Sequence, residues 1–528
     1  MKVLVSDKLG KKGLDILEQE KAISYDLKPG LPPEELKEVI KKYDGIIIRS
    51  GTKLTKDILS GVSNLKVIGR AGVGVDNVDI ETASKKGIIV MNTPGGNTVS
   101  TCEHTIAMIM ALSRKIPQAA ASLRNKEWKR GQFMGSEVFR KTLGIVGFGR
   151  IGKEVAKRML SFGMKVLVFD PFISSETTPQ VEVEFVNFED LCKRSDYITI
   201  HTPKTSETKY LFKKETFAVM KKDVRIINCA RGGIVNEKDL YDAIKEGKVK
   251  GAALDVFESE PPHESPLVSL DSVIAVPHLG ASTEEAQENV GVAVAEQVID
   301  ALLGRGIKNA VNLPSFDAET MNALRPWVNL SERIGTFITQ FSKGEGLSRI
   351  TIKYSGEVTQ FQLTPLTLAV IKGVLIPILE GAEINYVNAP VIAKERGIEV
   401  IESKSSQLGD FANAISIEIQ TGKTTTSVVG TLFGNNDPRI VRVNDYHIDA
   451  DLKGIMLCIQ NQDKPGIVGE IGTILGKNKV NIAQMTLGRK QEGDVAMTVI
   501  NTDQKIPSDV LQQIKKLDKI VDALVVVF

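Results

Sequence analysis

The chain has 528 residues, enough at about 150 residues per domain for three or four folding units. Its 67 Lys and Arg against 65 Asp and Glu leave a net charge of +2, which excludes the electrostatic footprint of a nucleic-acid wrapper or of a protein lying on an anionic membrane. With 42 % hydrophobic and 25 % charged residues it is neither disordered nor fibrous, so any acidic ligand must be held by local Arg or Lys clusters.

The four cysteines, Cys102, Cys192, Cys229 and Cys458, lie far apart, with no CxxC pair and no zinc-like spacing to histidine. Neither a disulfide framework nor a metal site is expected, and reduced thiols in the cytoplasm fit. The opening MKVLVSDKLG carries Asp7 and Lys8 and runs straight into a β-like stretch, so no signal peptide is expected. The most apolar run, LTLAVIKGVLIPIL from Leu366, contains Lys372 and Pro377 and is too short to span a bilayer.

In the first hundred residues KVLVS, GIIIRS, LKVIGRAG and GIIVMNTPG read as strands, with PPEELKEVIKKY and VDIETASKKG as helices between them. Strands separated by helices imply a parallel sheet. VSTCEHTIAMIMAL, from Val99, reads as a buried helix. A second alternating series follows, with strands TLGIV, KVLVF, YITI, VRIIN, GAAL and VIAV, which matches a complete doubly wound dinucleotide fold over residues 99–288. A helix begins near Glu284, and NAVNLPS reads as an exit linker. From Ser315 to about 452 the pattern becomes α+β, with β-like ITIKYSG, SIEIQTG, TTSVVGTLFG and IVRVNDYHID. Residues 453–528 read β-α-β-β-α-β, a ferredoxin-like split βαβ.

Gly147-Phe-Gly-Arg-Ile-Gly152 follows the strand TLGIV and opens an amphipathic helix. Gly147 permits the tight turn, Gly149 admits a pyrophosphate to the backbone, and Gly152 allows close helix–strand packing. The next strand ends in Asp170, about 20 residues on, where a carboxylate accepts both ribose hydroxyls and repels a 2′-phosphate. Pro171 and Phe172 follow, with no basic residue, so NAD is favoured over NADP.

Ligands of open α/β sheets bind beyond the carboxyl ends of the strands. Those ends carry His201-Thr202, Cys229-Ala230-Arg231, Asp255 with Glu260, and His278. Hydride exchange at a carbinol carbon needs a group that moves the hydroxyl proton near neutral pH, and histidine suits that. Of five histidines, His104 sits in the apolar helix as a packed or capping residue, His263 in a Pro-flanked loop, and His447 outside the dinucleotide unit. His201 and His278 remain, and Glu260 is a candidate to hold His278. Arg231 could clamp a substrate carboxylate bidentately.

In order and spacing, GFGRIG, NCARGG, ALDVFESEPP and PHLGAST resemble the D-isomer-specific 2-hydroxyacid dehydrogenases. RAGVGVDNVD, NTPGGN and FMGSEV resemble the long-form phosphoglycerate dehydrogenase branch of that family. The resemblance implies Arg231, Glu260 and His278 as active residues, and NAD contacts at Arg150-Ile151, Asp170, Thr202, Cys229 to Arg231, and Asp255. Val73 departs from relatives that carry threonine, so only its backbone carries over. The resemblance also returns residues 289–314 to the first unit, 1–98. The expected architecture is thus a Rossmann-type cofactor domain inserted in a flavodoxin-like substrate domain, then an intervening domain and an ACT domain.

Arg49 and Arg70 end two strands of the first unit and should point into the interdomain cleft, with Asn97 near the hinge. With Arg231 they offer three guanidiniums, more than lactate or glyoxylate requires, which favours 3-phosphoglycerate as substrate. Pairing of Arg49 or Arg70 with Asp76 or Asp79 is the structural alternative. Another 2-hydroxyacid reductase and a non-enzymatic NAD sensor are the competing functions. Asp463, in a DKPG loop before a helix, and Asn481, on the following strand, could present polar groups to an amino acid, which the resemblance suggests is L-serine. It suggests a homotetramer as well, and Trp128-Lys129-Arg130 reaching a neighbouring subunit. Arg439 and Arg442 could bind an anion.

Overall fold

Gly45–Ile48 reads GIII and is buried at every position, as a strand covered on both faces must be. In the computed structural model, which describes residues 1–173, 182–314, 318–342, 346–379, 383–405, 411–434 and 436–528, it is the centre of a parallel sheet. The strands are β1 (Lys2–Val5), β2 (Ser24–Leu27), β3 (Gly45–Ile48), β4 (Val67–Arg70) and β5 (Ile89–Met91), in the order β2-β1-β3-β4-β5. That is the flavodoxin-like order. Strand β2 escapes a reading by apolar runs because it is an edge strand, SYDL, with both end residues exposed.

The second sheet holds β6 (Thr142–Val146), β7 (Lys165–Phe169), β8 (Glu184–Phe185), β9 (Tyr197–Ile200), β10 (Val224–Asn228), β11 (Val249–Leu254) and β12 (Val273–Ala275). All pairs are parallel, in the order β12-β11-β10-β9-β6-β7-β8. The doubly wound expectation of six strands is corrected to seven. The missing member, β8, is two residues long at the sheet edge and carries no periodic signal.

Two helices connect these sheets. Thr98–Arg114 buries Cys102, Met108 and Ile109 with Leu143 and Ile145 of the second sheet. Glu284–Leu302 returns to the first, packing Val294 and Val298 with Val3, Val5 and Ile47. A methyl at Gly69 would sit 2.5 Å from Val298 Cγ2, so this helix lies directly on β4. Residue 289 lies inside the helix, whose N-cap is Thr283. There Thr283 Oγ1 meets Ser100 Oγ at 2.7 Å, which ties the two connections together at their starts.

In the third unit the helix Ala318–Phe341 packs on Thr364–Leu375, which is the apolar run from Leu366. The backbones touch: a Cβ at Gly373 would lie 2.0 Å from Glu332 O. Among the described residues no helix is long and apolar enough to cross a membrane. Ser315, where the sequence places the start of this unit, lies outside the described residues. The helices cover a sheet of β13 (Leu347–Gly356), β14 (Glu399–Ser405), β15 (Asn413–Thr421), β16 (Thr424–Phe433), β17 (Asp437–Val443) and β18 (Tyr446–Asp451). IVRVNDYHID, read as one stretch, is a hairpin that turns at Asn444, φ 49°.

The last unit is ferredoxin-like, with β19 (Ile455–Gln462), β20 (Ile482–Arg489), β21 (Val495–Thr502) and β22 (Ile520–Val527) in the order β20-β21-β19-β22. Alternation along β19 sends Leu457 and Ile459 to its own helices. Met456 and Cys458 go instead into the core of the third unit, so the two units share that core.

Candidate active site

The carboxyl ends of the two parallel sheets face each other across a cleft. On the cofactor side, Gly147 has φ 94°, and a Cβ there would strike the His201 backbone at 2.8 Å. A Cβ at Gly152 would lie 2.3 Å from Gly147 O, whereas one at Gly149 would meet nothing within 4 Å. The first and third glycines therefore pack the protein, and the second leaves open space over the N-terminus of the helix Arg150–Ser161. Asp170 is aimed by the loops around it, with Oδ2 accepting Phe148 N at 2.7 Å and Oδ1 accepting Phe172 N at 2.9 Å. Arg150 Nη1 donates across the cleft to Pro94 O at 3.3 Å, and Ile151 packs into the sheet core. Thr202 Oγ1 is buried with no partner among the described residues. An open glycine cradle, an aimed carboxylate and an orphaned hydroxyl together fit a dinucleotide.

Burial pushes the Cys229 thiol up to about 12, so the side chain stays neutral and only the backbone there is free for a ligand. Ala230 N is held by Asn228 Oδ1 at 3.0 Å. Desolvation pulls the His201 imidazole down to about 4, and its Nε2 lies 3.0 Å from Thr199 Oγ1. His201 is thus unsuited to carry a proton near neutral pH.

His278 differs. Its Nδ1 lies 2.8 Å from Glu260 Oε2, which raises the imidazole pKa against an opposing effect of burial. Burial pushes the Glu260 carboxyl up, but the bonds from His278 and from Phe257 N outweigh it and leave the pKa below the usual value. With Nδ1 engaged, Nε2 is the atom left to work. The His278 backbone is left-handed, φ 55°. The adjoining amides of Leu279 and Gly280 donate to Asp255 Oδ1 at 2.6 Å and Oδ2 at 2.8 Å. The Asp255 carboxylate, where an NAD contact is expected, is 1 % exposed and braces this loop through both oxygens.

Arg231 Nε donates to Asp76 Oδ2 at 2.9 Å, and its guanidinium lies over Gly74, where a Cβ would sit 1.7 Å from Nη2. Asp79 instead caps the helix Ile80–Lys85 through Thr82 N. Arg70 is largely buried, which pulls its pKa down to about 10, and the positive charges of Arg231 and Arg49 add to the effect. Its Nε has no partner among the described residues. Arg49 donates its backbone N to Asp7 Oδ2 at 2.6 Å and Nη1 to Lys8 O at 3.2 Å. Asn97 Oδ1, at the N-cap of Thr98–Arg114, is buried and has no partner among the described residues. Val73 offers a carbonyl, which accepts Asn92 Nδ2. The sequence reading did not place Asp7 at the site, and it read His104 as a packed or capping residue. Asp7 follows β1 and could have been found by the strand-end rule that found the arginines.

The profile of the D-isomer specific 2-hydroxyacid dehydrogenase NAD binding domain matches residues 106–280. That of the D-3-phosphoglycerate dehydrogenase intervening domain matches 323–444, and that of the ACT domain 456–519. D-3-phosphoglycerate dehydrogenase of Methanocaldococcus jannaschii is 44 % identical over 527 residues, 100 % of this chain and 99 % of the relative. The enzyme of that name from Bacillus subtilis is 42 % identical over 98 % of each chain. The chain belongs to the D-3-phosphoglycerate dehydrogenase family. An NAD-dependent formate dehydrogenase from Staphylococcus aureus, solved in complex with NAD, shares 29 % identity with a TM-score of 0.55 over 60 % of this chain and 100 % of its own. A member of the phosphoglycerate dehydrogenase family with this domain is an NAD-dependent dehydrogenase.

In the family's ACT domain the structure separates the two expected effector residues. Asp463 follows β19, its Oδ2 3.2 Å from Arg489 Nη1, while Asn481 precedes β20 rather than lying on it and donates to Asp503 Oδ2 at 2.6 Å. Register pairs Gln462 with Val495 and Ile482 with Thr502, opposite ends of β21, so about 24 Å of strand lies between them. In the intervening domain Arg439 pairs with Asp437 at 2.7 Å, and Arg442 is exposed.

Proposed function

We propose that the chain oxidises 3-phospho-D-glycerate to 3-phosphohydroxypyruvate with NAD, the first step of L-serine synthesis. The observation that carries this is the unpaired Arg70. A guanidinium this buried, its Nε without an acceptor among the described residues and its pKa lowered despite the nearby Asp76 and Asp7, is held at a cost that a bound phosphate removes. A substrate with one carboxylate has no use for it.

Arg231 holds the substrate carboxylate and stabilises charge on the C2 oxygen. His278 Nε2 accepts the hydroxyl proton, and Glu260 orients the ring and stabilises the imidazolium that forms. Bound NAD supplies the hydride acceptor. Gly149 and the Arg150-Ile151 turn hold its pyrophosphate on the turn that Gly147 and Gly152 shape, Asp170 holds its ribose hydroxyls, and Thr202, Cys229 and Ala230 line its path. Arg49, Arg70 and Asn97 hold the rest of the substrate.

The reading includes regulation and assembly. L-serine is the effector at the ACT domain. Because Asp463 and Asn481 stand at opposite ends of the sheet, a site using both takes them from two copies of the chain. Trp128 (77 % exposed), Met134, Leu123 and Ile116 are exposed apolar side chains available for self-association into a cytoplasmic homotetramer. The four-part division at residues 98, 288, 314 and 452 belongs to the same proposal.

Steady-state kinetics with NAD and either 3-phosphoglycerate, D-glycerate or D-lactate test the reading. Preference for the phosphorylated acid by at least about a hundredfold in kcat/KM supports it, being the worth of one buried charged contact. Equal rates remove the phosphate from the argument. Calorimetry without heat on adding L-serine to the full chain removes the effector.

A further inference from the structure

The helix Thr98–Arg114 carries a histidine that the proposed reaction does not use. His104 Nε2 lies 3.2 Å from Asp255 Oδ1, with its side chain only 18 % exposed. This is a close approach that falls short of a hydrogen bond, since Nε2 has no hydrogen-bond partner among the described residues. Asp255 is itself buried. It is 1 % exposed, and among the described residues no Lys or Arg bonds to it. Beyond His104, it is met by the amides of Leu279 and Gly280, which directly follow His278.

The same helix touches that loop a second time. A Cβ at Gly280 would stand 3.5 Å from Thr101 Cγ2. Asn97, Thr101 and His104 follow at spacings of four and three, so they share one face of the helix. That face therefore runs from the substrate end of the cleft to the carboxylate that holds the 278–280 loop. His278 is left-handed, a conformation unfavourable for a non-glycine residue that persists only where its surroundings enforce it.

We propose that His104 is a positioning residue: from the hinge helix it fixes Asp255, and through the two amides that Asp255 accepts it holds the His278 imidazole against Glu260. This rests on the reading of His278 as the proton acceptor. It makes the placement of the hinge helix, which joins the two units, a condition for an aligned imidazole.

Two variants of the full chain test it. His104→Leu keeps bulk and removes the polar edge; His104→Gln keeps an N–H that can reach Asp255. The Leu variant should lose about ten- to a hundredfold in kcat, the range expected for a slightly misplaced group, with its Kd for NAD within about twofold of the parent. In histidine-labelled protein, with the resonance assigned by His278→Gln, the His278 titration should fall toward the ordinary imidazole value as the Glu260 contact loosens. The Gln variant should restore most of both. An unchanged His278 titration in the Leu variant, or equal defects in the two variants, overturns the proposal. The titration is read without turnover, so a parent protein inert toward 3-phosphoglycerate would overturn the activity and leave this measurement to decide the positioning role.

Discussion

Asp76 and Arg231 meet across the cleft, Oδ2 to Nε at 2.9 Å, one from the first sheet's loops and one from the second. The hydrogen bond of Asp76 goes to Arg231, while Arg70 feels Asp76 and Asp7 only through space and its Nε has no acceptor among the described residues. A substrate anion entering the cleft therefore finds one arginine already steered and another unpaired.

Replacing Arg70 with Met should raise KM for 3-phosphoglycerate by roughly thirtyfold, about 2 kcal/mol for a lost charged contact. Turnover of an unphosphorylated hydroxyacid should change little. The apparent Tm without substrate should rise, since an unpaired buried cation is removed. A Tm that falls together with both activities would place Arg70 in the fold instead.

His278→Gln should cost about a hundredfold to ten-thousandfold in kcat, the range of general acid–base catalysis. Calorimetry should find NAD bound with nearly the parent Kd. Comparable losses in both would contradict the assigned role.

The pH dependence has a definite sign. The imidazole must be neutral to accept a proton, and its pKa is raised by the Glu260 contact, so kcat/KM for oxidation should climb through a midpoint above the ordinary value of about 6.5. Glu260→Gln removes the contact, so this limb should move to lower pH while the plateau drops. A limb that stays put would separate Glu260 from the titration.

Two glycines of one motif should fail differently. Gly149→Ala adds a methyl into open space, so Tm should hold while NAD affinity falls. Gly152→Ala drives a methyl to 2.3 Å from Gly147 O and should destabilise the protein by about 1–3 kcal/mol in denaturant unfolding.

Asp170→Ser should weaken NAD and raise the ratio of NADP to NAD turnover, because a repelling carboxylate is gone. Part of the NAD loss will come from the glycine loop, whose Phe148 N loses its acceptor. An unaltered ratio would mean that something else excludes the 2′-phosphate.

What the sequence determined by itself is what short stretches of chain dictate. Aliphatic runs between amphipathic helices imply parallel sheets, and parallel sheets place ligands at the carboxyl ends of their strands. From that rule Arg49, Arg70, Arg231, Glu260 and His278 could be named without coordinates, as could the glycine turn and Asp170. Edge strands β2 and β8 escaped because exposure or brevity removes the apolar periodicity on which the reading depends. Only the tertiary structure decided what each site residue experiences. Local pattern cannot tell His201 from His278, since both follow strands; desolvation lowers one and a carboxylate at 2.8 Å raises the other. Nor does it show that Asp255 faces inward to His104, that Asp76 chooses Arg231 over Arg70, or that Asp463 and Asn481 end up apart. These depend on distances between residues remote in the chain, and both charge interactions and burial change steeply over a few ångströms.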